Sequence, residues 1–246
     1  MNIDHAIEIF LHGLLGVTNA ENQSERRIAG DLPVIHFDDS WDDVRRIGDE
    51  FVVSAHAPAA ALAAMAAYGP EPDHLITLIG RPPSDYAAYV AAGYRQTETE
   101  ALMAREVAPL PPLDSRYDVV RIRDSAQLRD QKPVGKTWTT AAKLHEPRLR
   151  HSMIVLDGRP VARARVCHVD PDCGYVSHVY TAPDYRRRGL AQALMAQILH
   201  DAAAEGEQWS VLVSSEAGLP LYQALGYQHL ADLAVFKPAP AEERAG

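Results

Sequence analysis

Alternating apolar and polar positions in the C-terminal half of the chain predict a mixed sheet with short connections. The segments are rich in β-branched and aromatic residues, which favour strands, and they cover residues 152–156, 160–168, 175–181, 209–214 and 229–237. Asp157-Gly158 is a hairpin-turn signal between the first two strands, and residues 169–174 form a second turn.

Helical spacing interrupts this series of strands. Residues 189–204 place apolar side chains at positions 190, 194, 198 and 199, and residues 219–225 predict a second, shorter helix. Upstream, Asp124 is a candidate N-cap for a helix to residue 131, and a polar segment with another short helix continues to about residue 149. The order α, α, β, β, β, α, β, α, β predicts a mixed α/β domain.

The N-terminal half has a weaker pattern. Strands are predicted at residues 51–54 and 75–79 and at 97–105, with an alanine-rich helix at 58–68 and another helix at 85–92. Between the halves lies A-P-L-P-P-L-D, whose prolines favour an extended linker. We therefore predict a domain at residues 1–107, a linker at 108–116 and a second domain at 117–240.

The two halves share a local pattern. Y-A-A-Y-V-A-A-G-Y ends at Tyr94 and L-P-L-Y-Q-A-L-G-Y ends at Tyr227, which are 227 − 94 = 133 residues apart. At this offset Tyr89 aligns with Tyr222 and Gly93 with Gly226, and the preceding strands also coincide. The pattern predicts an internal duplication.

Composition narrows the class of protein. The 246 residues carry a net charge of −9, which argues against a general nucleic-acid binder and mildly favours cationic or amine-bearing partners. Two cysteines form no disulfide framework, so a reducing cytoplasm is expected. The N-terminus lacks the basic region of a signal peptide, and no apolar run is long enough for a membrane span.

One segment of the sequence indicates a ligand-binding site. Arg186-Arg187-Arg188-Gly189-Leu190-Ala191 follows a predicted strand and opens a predicted helix. A helix N-terminus offers unpaired N–H groups and a positive dipole end, which suit a phosphate. Gly189 permits close approach of the ligand to the backbone, and the arginines add positive charge.

This segment resembles the acetyl-CoA-binding motif of the GNAT N-acetyltransferase superfamily, Gln/Arg-x-x-Gly-x-Gly/Ala, through Arg186, Gly189 and Ala191. A second block, S-S-E-A-G-L-P-L-Y-Q-A-L-G-Y at residues 214–227, is similar to a later motif of that family. Ser215 and Gly218 stand where many relatives have Asn and Ala. The resemblance covers about residues 118–238 and implies the GNAT fold in the C-terminal half.

The resemblance implies direct acetyl transfer from acetyl-CoA to an amine, without a metal. Strands 175–181 and 209–214 would splay apart to admit the thioester. The N–H of Val179 would stabilise the oxyanion, and the Tyr222 phenol would protonate the departing thiolate. The implied cosubstrate-binding residues are Val179, Tyr180, Thr181, Arg186, Arg187, Arg188, Gly189, Leu190, Ala191 and Ser215.

The sequence leaves the identity of the general base open. Tyr175 and Ser177 occupy positions where relatives can carry a base, and neither is a good base at neutral pH. His178 and Glu216 are candidates, and a water chain or a neutral acceptor is an alternative. His145, Glu146 and His151 could line the amine pocket or a solvated helix, and the polar residues between Cys167 and Cys173 are interpreted as a turn rather than a metal site.

The interpretation is a tandem protein. A degenerate, non-catalytic GNAT-like half precedes a complete GNAT half, because A-H-A-P follows Ser54 where the phosphate motif would stand. The expected function is an acetyl-CoA-dependent N-acetyltransferase that acts on a primary amine of a small molecule or peptide. Alternatives are a non-catalytic acyl-CoA-binding regulatory module and an N-terminal half that serves only as an interaction platform. We expect no nucleic-acid or membrane partner, and either a pseudo-dimeric monomer or a homodimer.

Overall fold

The computed structural model describes residues 1–19, 24–41, 44–128 and 143–240, and at positions 19, 39–41, 44–47 and 143 it describes the backbone alone. Its helices are α1 (Ile3–Asn19), α2 (Pro58–Tyr68), α3 (Tyr86–Ala91), α4 (Leu190–Ala204) and α5 (Leu219–Ala224). Its strands are β1 (Glu25–Ala29), β2 (Leu32–Trp41), β3 (Val44–Val53), β4 (His74–Ile79), β5 (Tyr94–Glu106), β6 (Val119–Ile122), β7 (Leu149–Leu156), β8 (Arg159–Asp170), β9 (Cys173–Thr181), β10 (Trp209–Ser215) and β11 (Gln228–Pro238).

The chain forms two compact units. The larger unit comprises Met1–Ala20 and Met103–Gln228, and the smaller unit comprises Glu21–Leu102 and His229–Gly246. These bounds differ from the predicted segments at both termini of the chain, because α1 lies in the larger unit and nearly all of β11 lies in the smaller one. The predicted linker, residues 108–116, lies within the larger unit. The roles predicted for the two halves stay predictions.

The larger unit has the strand order β5-β10-β9-β8-β7-β6, with residues 103–106 of β5 at one edge. Strands β6 to β9 pair antiparallel, whereas β9 and β10 are parallel neighbours joined by α4. Helix α4 packs on β7, β8 and β9, and it buries its apolar side with Leu194, Met195 and Leu199. This is a strand–helix–strand unit, which places the start of α4 just beyond the carboxyl end of β9.

Helix α1 packs tightly on β8, β9 and β10 of the larger unit. A Cβ atom at Gly13 would overlap the Tyr175 ring, and one at Gly16 would lie 2.5 Å from Cys167 Sγ. Glycine at these two positions therefore permits the close contact, although glycine is unfavourable within a helix. Phe10 adds an edge-on contact to Tyr175, with ring centroids 6.1 Å apart.

The smaller unit has the strand order β1-β2-β3-β4-β11-β5. Strands β3 and β4 run parallel and are joined by α2, and β11 pairs antiparallel with β4. Its core packs Phe51, Met65 and Leu78 against Tyr89 of α3 and Phe236 of β11.

The structure confirms the predicted mixed α/β class and the predicted elements of the C-terminal sheet. The helix predicted at residues 124–131 begins as a 3₁₀ turn at Ser125–Leu128, where Asp124 Oδ1 accepts a bond of 2.8 Å from the Ala126 N–H. The rest of that helix lies outside the described residues, as does most of the segment before residue 143. Helix α1 and strands β1 and β2 were not predicted. None of the helices in the described residues is long and apolar enough to cross a membrane.

Candidate active site

Strands β9 and β10 separate in the middle of the larger unit. Their parallel pairing runs from Cys173↔Trp209 to Val176↔Leu212 and then stops, although the strands continue to Thr181 and Ser215. The structure therefore confirms the splay that the sequence resemblance implied. Backbone groups on the facing edges beyond this point are without the ladder partners that a continuous parallel pair would supply.

A β-bulge lies at this separation. On β8 Arg163 and Arg165 are two positions apart, whereas their partners Tyr180 and Ser177 on β9 are three positions apart, so β9 carries one extra residue. His178 supplies the kink with φ 56°, a left-handed conformation that is uncommon for a residue other than glycine. Such strained positions cluster at ligand and active sites, and this bulge re-aims the groups around Val179.

The arginine-rich loop joins the end of β9 to α4. Arg187 has φ 63° and Gly189 has φ 83°, so two left-handed residues turn the chain into the helix. The N-cap residue, Gly189, has no side chain that could cap the helix, and the first N–H bond of the helix backbone runs from Ala193 to Gly189 O, at 2.9 Å. The N–H groups of the first turn are thus available to an anion.

The structure brings the loop back to the strand end. Arg186 Nε donates a bond of 3.2 Å to the carbonyl oxygen of Thr181, and its guanidinium lies 6.0 Å from the Tyr180 ring centroid. The Thr181 hydroxyl is buried and has no hydrogen-bond partner among the described residues. An unsatisfied buried hydroxyl is costly, and it lies beside the splay where a polar ligand could satisfy it.

A segment that sequence reasoning missed contacts the same loop. The Tyr117 hydroxyl donates a bond of 2.6 Å to the carbonyl oxygen of Arg188. Arg116 Nη2 lies 3.6 Å from the point that a Cβ on Gly189 would occupy. Both residues precede β6, about 70 residues upstream of the loop, so no local pattern could reveal the contact.

Tyr222 lies on α5, which follows β10. The residue is 7% exposed, and its ring packs edge-on against Tyr227, with centroids 5.7 Å apart. Burial raises the pKa of the Tyr222 phenol to about 12, so the hydroxyl is protonated at neutral pH. The phenol oxygen has no hydrogen-bond partner within the described part of the chain, in contrast to Tyr227, which shares a bond of 2.7 Å with Ser210. Among the described residues, Tyr222 is therefore a protonated donor without a hydrogen-bond acceptor.

The candidate bases differ in their surroundings. Tyr175 is buried beneath Phe10 and Gly13, which makes it a core aromatic residue. His178 is exposed at the bulge, and its Nδ1 lies 3.2 Å from Ser177 Oγ. Glu216 is exposed just after β10, and Ser215 beside it accepts the Gly218 N–H through its carbonyl oxygen at 2.9 Å. The roles of His178, Glu216 and Ser215 stay predictions.

The residues considered for the amine pocket are spread over β7 and the segment before it. His145 is exposed, Glu146 accepts a bond of 3.0 Å from Arg148 Nε, and His151 is buried within β7. The structure leaves residues 129–142 of this region undescribed.

His168 belongs to an ion-pair cluster near the carboxyl end of α4. Its ring nitrogens lie 2.9 Å from Glu205 and 2.5 Å from Glu207. Arg150 forms ion pairs with both glutamates, and Arg121 pairs with Glu205 at 2.7 Å. Two arginines balance two carboxylates, so the cluster is a charge network rather than a set of free metal ligands.

A cavity of about 710 Å³ opens at the other end of β10. It is lined by Trp209, Arg105 and residues 108–112, together with the end of α5. It contains none of the predicted site residues, because the splay lies at the carboxyl end of β10 and this cavity lies at its start.

Known proteins share this arrangement. A sequence model of the Acetyltransferase (GNAT) family matches residues 117–227. A glucosamine 6-phosphate N-acetyltransferase from Trypanosoma brucei brucei is 24% identical over 145 residues, which are 59% of this chain and 84% of that protein.

Solved structures extend the likeness in fold to the whole chain. A GCN5-related N-acetyltransferase from Kribbella flavida superposes with a TM-score of 0.67 at 19% identity, and the match covers 100% of this chain and 99% of the other. A tandem GNAT protein from the clavulanic acid biosynthesis pathway gives a TM-score of 0.53 at 13% identity, with 98% and 97% covered.

The matched region contains the splayed strands, the arginine-rich loop and the helix that carries Tyr222. Family members transfer acetyl groups from acetyl-CoA. Residues 117–227 match the acetyltransferase (GNAT) family, and this match together with the curated relative supports an enzyme of the N-acetyltransferase class.

Proposed function

We propose that this chain transfers an acetyl group from acetyl-CoA directly to a primary amine of a small molecule or peptide. The observation that carries the proposal is the separation of β9 from β10 after Val176 and Leu212, next to the loop that opens α4. The separation exposes main-chain groups to an extended pantetheine arm. The start of α4 offers N–H groups and a positive dipole end to the diphosphate.

The residues present fit such a ligand. The unsatisfied Thr181 hydroxyl and the main chain of Val179 and Tyr180 lie along the splay. Arg186, Arg187 and Arg188 are exposed around the start of α4, where their charges face solvent. Leu190 and Ala191 contribute the first helical N–H groups, and Ser215 ends the facing strand. We assign all these residues to the cosubstrate site.

The proposed reaction is addition followed by elimination. The amine nitrogen attacks the acetyl carbon, and the N–H of Val179 at the bulge stabilises the oxyanion that forms. The carbon–sulfur bond then breaks, and Tyr222 donates its proton to the departing CoA thiolate. A phenol whose pKa is raised to about 12 holds this proton at any working pH. The amine loses its extra proton to His178, Glu216 or water.

The acceptor is defined here only by its chemistry. The trypanosomal relative is named for an amino sugar phosphate, which supports a primary amine on a small polar molecule as the first class to test. Turnover with a panel of such amines, measured as free CoA release, should exceed that of the Tyr222→Phe variant. Acetyl-CoA binding without turnover of any amine would instead favour the non-catalytic acyl-CoA-binding module.

A further inference from the structure

The segment before β6 is anchored to the larger unit at several points. Arg105 Nη2 donates a bond of 2.6 Å to Pro109 O, and His200 Nε2 on α4 lies 2.9 Å from Pro111 O. Tyr117 then bonds the carbonyl oxygen of Arg188 at 2.6 Å. The prolines lack N–H groups, but their carbonyl oxygens accept from side chains of the unit. The segment thus has a fixed path that ends at the arginine-rich loop.

Arg116 is the residue that this path presents to the start of α4. Its guanidinium lies beside Gly189, with Nη2 3.6 Å from the Cβ position of that residue, and it stacks 5.3 Å from the Tyr117 ring centroid. Two bonds orient it from one side, because Nε and Nη2 donate to Asp114 at 2.9 and 2.6 Å. The Arg116 side chain is 69% exposed, so the face of the guanidinium away from Asp114 is open to a ligand.

We propose that Arg116 is a further cosubstrate-binding residue, which contacts the diphosphate of acetyl-CoA from the side opposite the N–H groups of α4. This inference rests on the proposed function, since it assumes a diphosphate at that helix start. A guanidinium is suited to phosphate because its planar N–H groups can donate two parallel bonds. Asp114 holds the guanidinium in place before the ligand arrives, and Tyr117 positions the segment.

The chain offers a matched control in the same unit. Arg148 bonds Glu146, two residues before it, through both its backbone N–H and Nε, at 3.3 and 3.0 Å. Arg116 bonds Asp114 in the same way, at 3.1 and 2.9 Å. Arg148 lies before β7 and contacts neither the arginine-rich loop nor α4 in the described residues. Arg148→Ala therefore removes the same charge and the same local motif without touching the proposed site.

The test is calorimetric titration of the full chain with acetyl-CoA. Arg116→Ala should raise Kd by about fivefold to tenfold, as for a partly exposed charge-assisted contact, and Arg148→Ala should leave it unchanged. Arg116→Lys should fall between the two, because it keeps the charge but loses the paired donors. The salt dependence of Kd should also weaken in Arg116→Ala, which a merely structural role would not cause.

A second ligand locates the contact. Acetyl-dephospho-CoA keeps the diphosphate and lacks the 3′-phosphate, so Arg116→Ala should weaken its binding by the same factor. A loss seen only with acetyl-CoA would place Arg116 at the 3′-phosphate and overturn the assignment. A Kd within twofold of that of Arg148→Ala would overturn any contact. Failure of the unmodified chain to bind acetyl-CoA would refute the proposed function itself.

Discussion

The two units contain the same kind of turn from a helix to a strand. They differ at the start of the helix that joins their parallel strands, where the larger unit would bind phosphate. In the smaller unit, Gly93 N–H bonds Val90 O at 3.0 Å with φ 88°; in the larger, Gly226 N–H bonds Gln223 O at 2.9 Å with φ 84°. Both glycines adopt the left-handed conformation that ends a helix. The corresponding residues are 133 positions apart, as the sequence pattern predicts.

The units also share a parallel strand pair joined by a helix, β3-α2-β4 in one and β9-α4-β10 in the other. The start of α2, however, is Pro58 after Ala57, with neither arginine nor glycine. β3 and β4 remain paired up to Val53↔Leu78, at the end of β3, without the early separation seen in β9 and β10. The repetition supports a duplication, and the difference supports a phosphate site in the larger unit alone; both stay predictions.

The largest effect is expected from a negative charge at Gly189. Gly189→Asp should weaken acetyl-CoA binding by about 100-fold or more, because its carboxylate would repel the diphosphate and pair with Arg116. The nearest atom to the new Cβ is 3.6 Å away, so the left-handed φ of 83° is the main structural cost, and Asp tolerates that region.

The measurement is Kd by calorimetry, with folding checked by circular dichroism. Gly189→Asn has nearly the same shape without the charge and serves as the control, which should retain more affinity. Equal Kd values for Gly189→Asp and the unmodified chain would refute the phosphate assignment.

The two aligned tyrosines give the next comparison. Tyr222→Phe should lower kcat by about 100-fold, the range for a positioned general acid, with little change in the Kd for acetyl-CoA. A thiolate leaves readily on its own, so this effect is smaller than loss of the cosubstrate. Tyr89→Phe, the corresponding change in the smaller unit, should leave kcat unchanged. If Tyr222→Phe kept full kcat with chemistry rate-limiting, Tyr222 would be a core aromatic only.

The smallest expected effect is on stability, through Glu100 of the smaller unit. Burial, reinforced by Glu98 and Glu50, raises the pKa of Glu100 to about 7, above about 4.3 in an unfolded chain. The folded chain therefore binds more protons between these values, and stability falls as pH rises through 7.

Glu100→Gln removes that titration. It should raise Tm at pH 8 by about 2 °C relative to the unmodified chain, and the gain should shrink towards pH 5. Glu106→Gln, on an exposed residue of the same strand, is the control and should show no such pH dependence. A gain that is the same at both pH values would contradict the burial of this carboxyl group.

The sequence predicted the strands and helices whose pattern is local. Strands such as β9 and β10 alternate or run apolar, and the loop before α4 carries its own motif. Helix α1 escaped prediction because Gly13 and Gly16 weaken its helical signal, and their purpose appears only in the contact with Tyr175 and Cys167. Strand β1 has mostly exposed polar residues, E-R-R-I-A, so it has no clear alternation.

The candidate active site, like the fold, could be predicted from the sequence only where its pattern is local. The two sequence motifs indicate the phosphate loop and Tyr222. The bulge at His178 could not be predicted, because no glycine marks it in the sequence. Arg116 and Tyr117 are brought to the loop by tertiary packing alone. Likewise, α1 belongs to the larger unit and nearly all of β11 to the smaller one because of long-range contacts, which no local pattern encodes.

We expect the larger unit alone to bind acetyl-CoA. Titration of the full chain by calorimetry tests it most directly, because the number of sites per chain follows from the inflection of the binding curve. We expect one site per chain, whose affinity for acetyl-CoA falls by about 100-fold or more in Gly189→Asp. Two equivalent sites, or one site that survives Gly189→Asp with unchanged affinity, would contradict it.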